Sequence, residues 1–296
     1  MPETVPCLSC GGARAHREPH LERFLALAAP LRLARCGDCG FRFQSPRSDL
    51  DELEGRYLAS DFYAEAHPVR AAHYDDFYSH RYQLLARWTP RPGRLLGVAC
   101  LDGGYQYAPL AALGWRAEVF EFIRPLAEEC RRVVGADVRV SRGWDPSCMV
   151  GEPYDAAASI SLEHVPDPRG LLARVRRLVR DGAPLVLDVP YQLGSLKDLT
   201  KYPLRRLLGE RGFHPLFKRN ENEFHLSFFD PPRLRAMLAD TGWRVVHFET
   251  YQPRHPLYLS NPRARWLQEA IYRVGGWFER GPSMEVVALA DGAPAP

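Results

Sequence analysis

Beyond Arg94, short apolar runs alternate with amphipathic stretches, as repeated strand–helix units do. Residues 94–100 (RLLGVAC), 116–122 (RAEVFEF), 137–141 (DVRVS) and 154–162 (YDAAASISL) read as four strands, and 183–190 (APLVLDVP), apolar almost throughout, as a fifth. Helical patterns separate them: YAPLAALGW ending at Gly114, PLAEECRRVVG opening at Pro125 and closing at Gly135, then DPRGLLARVRRLVRDG. The last of these puts Leu171, Leu172, Val175, Leu178 and Val179 on one face and arginines on the other. Helix PPRLRAMLADTG, strand WRVVHFET, the helical insertion NPRARWLQEAIYRVGGWF and strand MEVVALA complete the run. Apolar strands joined by helices demand a parallel sheet covered on both sides. The pattern predicts a doubly wound, Rossmann-like α/β domain at 91–296. Its sheet is mostly parallel and seven-stranded, with an antiparallel last strand closing a final hairpin.

Upstream, residues 46–90 predict a helical cap or linker. SPRSDLDELEGRYL reads as a capped helix start with acidic residues in its first turn. The following AHPVRAAHYDDFYSHRYQLLARW sets Val69, His73, Phe77, Leu84, Leu85 and Trp88 near one face, and Pro90, Pro92 and Gly93 end it. The stretch 191–225 is longer than an ordinary strand–helix connection and is expected to form a lid or substrate wall. Its aromatic residues equally suit packing on the N-terminal helices. His73, Tyr74, Tyr191 and Asn222 are the candidates for the substrate wall.

Composition narrows the function. The 296 residues are 46% hydrophobic and 25% charged, the balance of a globular protein with its own core. The net charge of +3 is spread over many arginines without a dense run, which argues against nucleic acid as the main ligand. No apolar stretch approaches the ~20 residues of a membrane span. The opening MPETVPCLSC lacks the basic and apolar regions of a signal peptide. A reducing, cytoplasmic setting is expected, and there paired cysteines favour a metal over a disulfide.

Cys7, Cys10, Cys36 and Cys39 form two C-x2-C knuckles separated by 25 residues. Each knuckle offers two thiolates from one tight turn, and two knuckles complete a closed tetrahedral S4 site of the kind zinc favours. A zinc ribbon at 1–45 is expected, its metal structural because no coordination position stays open. Too small to hold a core of its own, such a ribbon depends on the metal. His16 and His20, between the knuckles, are expected as solvated loop histidines. Cys100, Cys130 and Cys148 are expected as free thiols.

The order of elements, together with YDAAASISLEHVPDPRGLLARVRRLVRDGAPLVLDVP and HLSFFDPPRLRAMLADTGW, resembles the class I S-adenosylmethionine-dependent methyltransferases over about 91–292. In that family strand four ends in a Leu-Glu-His-Val-x-Asp-Pro segment, here Leu162, Glu163, His164, Val165, Asp167 and Pro168. A ribbon ahead of such a domain is similar to sugar C-methyltransferases of natural-product pathways. The resemblance implies S-adenosylmethionine as cofactor, bound at Gly97, Ala99, Gly103, Gly104, Glu121, Phe122 and Leu162. Glu121 takes the place of the family's acidic residue toward the ribose hydroxyls, for which a carboxylate is the right acceptor. The family's loop of one acidic and three glycine positions falls on Gly97, Ala99, Leu101 and Gly103, and only Gly103 matches. A left-handed Ala99 would cost ~1–2 kcal/mol. Asp102 would bring a carboxylate toward the methionine end of the cofactor.

His164 and His225 are the candidate catalytic residues, placed at the edge where open α/β sheets bind ligands. Glu163 is expected as a polar partner on the helix side. The reading that follows is methyl transfer to a small-molecule acceptor in a biosynthetic pathway. The alternatives are the same fold turned to a non-methylating step, and a non-catalytic partner protein. A protein partner or a second copy of the chain also remains open.

Overall fold

The apolar runs pair into one sheet, and the cysteine-rich segment builds a second. The computed structural model describes all residues except 1–2, 26, 28, 60–82, 90, 101–102, 142–143, 214–223, 252–264 and 293–296. In chain order the elements begin with β1 (Ala15–Arg17), α1 (Pro19–Phe24), β2 (Leu33–Cys36), β3 (Arg42–Gln44) and α2 (Leu50–Leu58). A helical segment at 83–88 precedes β4 (Arg94–Val98), α3 (Ala108–Ala112), β5 (Arg116–Glu121), α4 (Arg124–Val134) and β6 (Asp137–Val140). Then come β7 (Ala156–Ser159), α5 (Pro168–Leu178), β8 (Pro184–Pro190), α6 (Leu196–Phe213) and β9 (Ser227–Phe228). The chain closes with α7 (Pro231–Asp240), β10 (Trp243–Tyr251), α8 (Arg265–Trp277) and β11 (Ser283–Ala290).

The main sheet has the order β10-β11-β8-β7-β4-β5-β6. Pairs from β8 to β6 are parallel, whereas β11 runs antiparallel to both β8 and β10, which is the predicted hairpin. From β4 the chain winds outward to β6, then returns to β7 on the other flank of β4. This reversal is a topological switch point, and ligands bind in the crevice beyond the carboxyl ends of the strands there. Helix caps follow the expected chemistry. Asp49 accepts from Glu52 N at 2.9 Å, Asp167 from Gly170 N at 2.8 Å and Asp230 from Arg233 N at 2.9 Å. Gly135 ends α4 at φ 64°, in the left-handed conformation a glycine adopts without strain. Among the described residues no helix is long and apolar enough to cross a membrane.

Three details differ from the sequence expectation. Strand one stops at Val98, because Ala99 turns left-handed at φ 64° and takes Cys100 out of the ladder. Strand four stops at Ser159, and Leu162–His164 form a 3-10 turn instead of strand. His16 lies on β1 and His20 in α1, so both are solvated, as expected, but neither is in a loop.

The second sheet joins the two parts of the chain. Its order is β1-β2-β3-β9, so the ribbon's third strand pairs with residues 227–228 of the larger domain. Phe41 and Phe43 are fully buried, and Phe41 meets Phe229 edge-on at 5.2 Å. Ala34, Phe41 and Phe43 belong to the same continuous core as the main sheet, whereas Phe24, Leu25 and Leu33 form a separate cluster with Phe228.

Gly104 follows Gly103 in the turn after β4, at φ 84°, and a Cβ there would overlap the Cys130 sulfur. Gly104→Ala therefore combines left-handed strain of ~1–2 kcal/mol with overpacking of ~1–3 kcal/mol. A fall in Tm of roughly 5–10 °C is expected by thermal denaturation. Cys130→Ala added to it should recover the steric part, so that the double variant is more stable than the two single losses summed.

Candidate functional site

The turn after β4 is shaped by two residues that fill space from behind. The Tyr107 hydroxyl donates to Ala99 O at 2.6 Å and Gln106 Nε2 donates to the same oxygen at 3.2 Å. A Cβ on Gly97 would press into the Tyr107 ring and Val119. Gly97 thus makes room for the Tyr107 ring, and Gly104 likewise for Cys130. Ala99, Gly103 and Gly104 all have positive φ (64°, 75° and 84°). Leu101 and Asp102, whose bulk and charge bear on the loop, lie outside the described residues.

Glu121 ends β5 fully buried. Its Oε2 accepts from Cys100 N at 2.6 Å, and its Oε1 accepts from Phe122 N at 2.7 Å and Ile123 N at 2.9 Å. Burial pushes its carboxyl above the usual range, against the pull of these backbone donors. The carboxylate thereby ties the turn after β4 to the end of β5. Beside it the Phe122 ring lies 4.7 Å from that of Trp144, tilted by 37°. Trp144 is itself buried and at φ 60°. Sequence reasoning missed Trp144, Tyr107 and Gln106, whose roles come from tertiary contacts.

A second group forms at the 3-10 turn beyond β7. His164 and His225 lie edge to face with centroids 4.7 Å apart. His164 Nδ1 donates to Phe224 O at 3.0 Å, and His225 Nδ1 donates to Gln192 Oε1 at 2.8 Å. Both Nε2 atoms face Glu163 Oε1, from 3.5 Å and 4.0 Å. Glu163 is buried and turned to the histidines, not to the helix side where it was expected. Burial, with His164 alongside, pushes His225 well below the ordinary histidine range, so its ring is neutral near pH 7. Leu162 is buried beneath the turn. Gln192 and Phe224 were also missed, since nothing in their local pattern marks them.

Tyr191 is buried, and its ring fills the space over Gly194. Tyr202 of α6 meets Phe24 edge-on at 5.6 Å, and Arg205 donates to Phe24 O at 2.8 Å. The described part of the 191–225 stretch therefore packs on α1. Asn222, like His73 and Tyr74, lies outside the described residues. A small cavity of about 20 Å³ lies between the 83–88 segment and the sheet, lined by Leu85, Gln106, Tyr107, Ser159, Ile160 and Val186 among others.

The four knuckle sulfurs converge. Cys7 and Cys39 are 3.6 Å apart, as are Cys10 and Cys36, and all four lie within 4.8 Å of one another. A tetrahedral zinc with bonds of about 2.3 Å sets sulfurs about 3.8 Å apart, so the cluster fits the ion. Burial raises the Cys36 thiol, but the N–H groups of Cys39 and Asp38 outweigh it and hold the group down at about 7. Gly11 and Gly40, at φ 74° and 76°, turn the two knuckles. From the ribbon, Gln44 N donates to Leu226 O at 2.9 Å and Gln44 Nε2 to His225 O at 3.0 Å. Arg47 donates to Pro166 O at 2.7 Å.

The methyltransferase-domain family matches the chain over residues 70–248. Among solved structures, a chain from the Haloferax volcanii complex that contains the Trm112 methyltransferase activator has a TM-score of 0.54 at 14% identity, over 82% of this chain and 100% of that one. The 1,6-didemethyltoxoflavin-N1-methyltransferase of Burkholderia thailandensis, solved with 1,6-didemethyltoxoflavin and S-adenosylhomocysteine, has a TM-score of 0.50 at 17% identity, over 90% and 97%. A SAM-dependent methyltransferase of Methanosarcina mazei has 0.50 at 15%, over 70% and 97%. At such identities the likeness is one of fold. Among curated proteins no sequence matches the chain.

The left-handed Ala99 gives a direct test of the loop. Ala99→Gly should relieve ~1–2 kcal/mol of backbone strain and lose ~0.5–1 kcal/mol to the freer unfolded chain. A net gain of about 0.5–1 kcal/mol, read as a higher denaturant midpoint at unchanged m-value, is expected.

Proposed function

The chain belongs to the methyltransferase-domain family, and on that premise we propose that it transfers a methyl group from S-adenosylmethionine to a small-molecule acceptor in a biosynthetic pathway. The observation that carries this reading is the left-handed turn after β4 closed onto the Glu121 carboxylate at the switch point of the sheet. When bound, the cofactor supplies an electrophilic methyl on a sulfonium. Ala99 and Gly103 would give the backbone approach, Glu121 the acceptor for the ribose diol, Phe122 the surface for the adenine, and Leu162 the floor. His164, His225 and Glu163 would receive the acceptor at the same edge.

Backbone and charge fit an adenosine; space requires a movement. A base held between Phe122 and Trp144 needs about twice the ~3.5 Å contact spacing, whereas the rings now touch. Cofactor binding therefore parts these rings and uncovers Glu121. The same closed pair favours a second reading, in which the fold serves a non-methylating step. The proposed zinc is structural, with four thiolates and no open position.

Calorimetric titration of the zinc-replete protein with S-adenosylmethionine and S-adenosylhomocysteine separates the two readings. Micromolar binding is expected, accompanied by a change in tryptophan fluorescence that disappears in Trp144→Phe and weakened at least tenfold in Glu121→Ala. Well-folded protein that binds neither compound would overturn methyl transfer.

The ribbon makes a second prediction. Purified protein should hold one zinc that resists a weak chelator, and Cys10→Ser should release it. Because β3 pairs with the strand that follows His225, loss of zinc should lower Tm and abolish methyl transfer together. Retained transfer without zinc would exclude any coupling of ribbon to site.

A further inference from the structure

Glu163, His164 and His225 each offer a metal-ligating atom, and those atoms lie within 4.8 Å of one another. They come from two parts of the chain that Leu226 N, donating to Glu163 O at 2.8 Å, locks together. We propose that the three side chains bind one divalent transition-metal ion, separate from the ribbon's, with coordination positions left open for an oxygen of the methyl acceptor. The role of the open positions rests on the reading of this edge as the acceptor site; the ion site does not.

Hydrogen-bond directions carry the inference. Phe224 O is only an acceptor, so His164 donates to it from Nδ1, and His225 Nδ1 faces Gln192 Oε1 in the same way. Each ring thereby turns its Nε2 toward Glu163 Oε1, at 3.5 Å and 4.0 Å. These three atoms are the ones that would share an ion.

They approach the spacing a metal imposes. Bonds of about 2.1 Å place neighbouring ligand atoms about 3.0–3.4 Å apart, so the two carboxylate–histidine gaps of 3.5 Å and 4.0 Å would have to close by about 0.1–1.0 Å on an ion. Acceptors behind the non-ligating nitrogens are the usual means of fixing a metal-binding imidazole, and Phe224 O and Gln192 occupy those places. Two imidazoles and one carboxylate suit manganese, iron, cobalt or zinc in the divalent state, unlike the all-thiolate ribbon. Three protein ligands leave positions for water or substrate. A hydroxyl bound there would lose its proton to solvent near neutral pH, which favours an oxygen acceptor over carbon.

The test uses the full chain with the ribbon zinc in place, titrated with Mn2+ and followed by electron paramagnetic resonance and by water-proton relaxation. One equivalent of Mn2+ should bind with at least one exchangeable water on the ion. Glu163→Gln and His225→Asn should each weaken it at least 100-fold, and Gln192→Ala about tenfold through the lost outer contact. Circular dichroism checks each variant's fold. If the variants unfold, displacement of the bound Mn2+ from the wild-type protein by Co2+, with the ribbon zinc retained, still reports the site. No second equivalent, or binding unchanged in a folded Glu163→Gln protein, overturns the proposal. A bound ion without exchangeable water overturns its open positions. Mn2+ binding in a protein that does not bind S-adenosylmethionine supports the ion site while sinking the methyl-transfer reading.

Discussion

The pairing of ribbon strand β3 with residues 226–228 is the constraint on which the site depends. Gln44 holds this segment twice, through its backbone to Leu226 and through its side chain to His225. On the other side Leu226 N is held by Glu163 O. His225 is thus carried on a strap fixed between two folding units, not on a free loop. Backbone bonds to both sides define its position more tightly than side-chain contacts alone, because each leaves one peptide group with little freedom. Phe41 and Phe229 pack across the same seam and keep water out of it.

The turn after β4 shows a different balance. Ala99 accepts strain that glycine would avoid, yet its carbonyl receives both Tyr107 and Gln106 from behind. Two hydrogen bonds of about 0.5–1.5 kcal/mol each offset a left-handed cost of ~1–2 kcal/mol. Glu121 plays the matching part on β5. Bonds from three backbone N–H groups offset part of its burial and set the turn before any ligand arrives. The edge is organised in its backbone and closed in its side chains, with Phe122 against Trp144.

What was legible in the sequence follows from the range of each interaction. Strand and helix order was readable because burial on both faces leaves apolar runs, and Gly135 and Asp167 mark helix ends by local chemistry. The four cysteines announced themselves by a spacing that suits a shared ligand, and their sulfurs converge. Glu163 was legible as part of a motif but not in its direction, since the 3-10 turn of Leu162–His164 turns it inward. The partnership of His164 with His225 spans the whole 191–225 stretch and leaves no local pattern. Nor does β9, two residues long, carry an alternation to read. The contact of Gly97 with the Tyr107 ring was not legible either, because a sequence does not show which neighbour a missing side chain admits.

A metal held by the four cysteines would therefore link the ribbon energetically to the strap that carries His225. Burial of Phe41 and Phe43 contributes ~1.5–3 kcal/mol each at most, and such apolar contact alone leaves a three-stranded ribbon marginal. Zinc held by four thiolates would contribute apparent free energies of about 10–16 kcal/mol, which is folding energy wherever the site forms only in the folded chain. Such binding would outweigh the apolar contact and set the sequence of dependence. Closed knuckles would order strand β3, and β3 in turn the strap bearing His225. An ion in the ribbon, with no substrate contact of its own, would in this way set the geometry of the histidines from a distance.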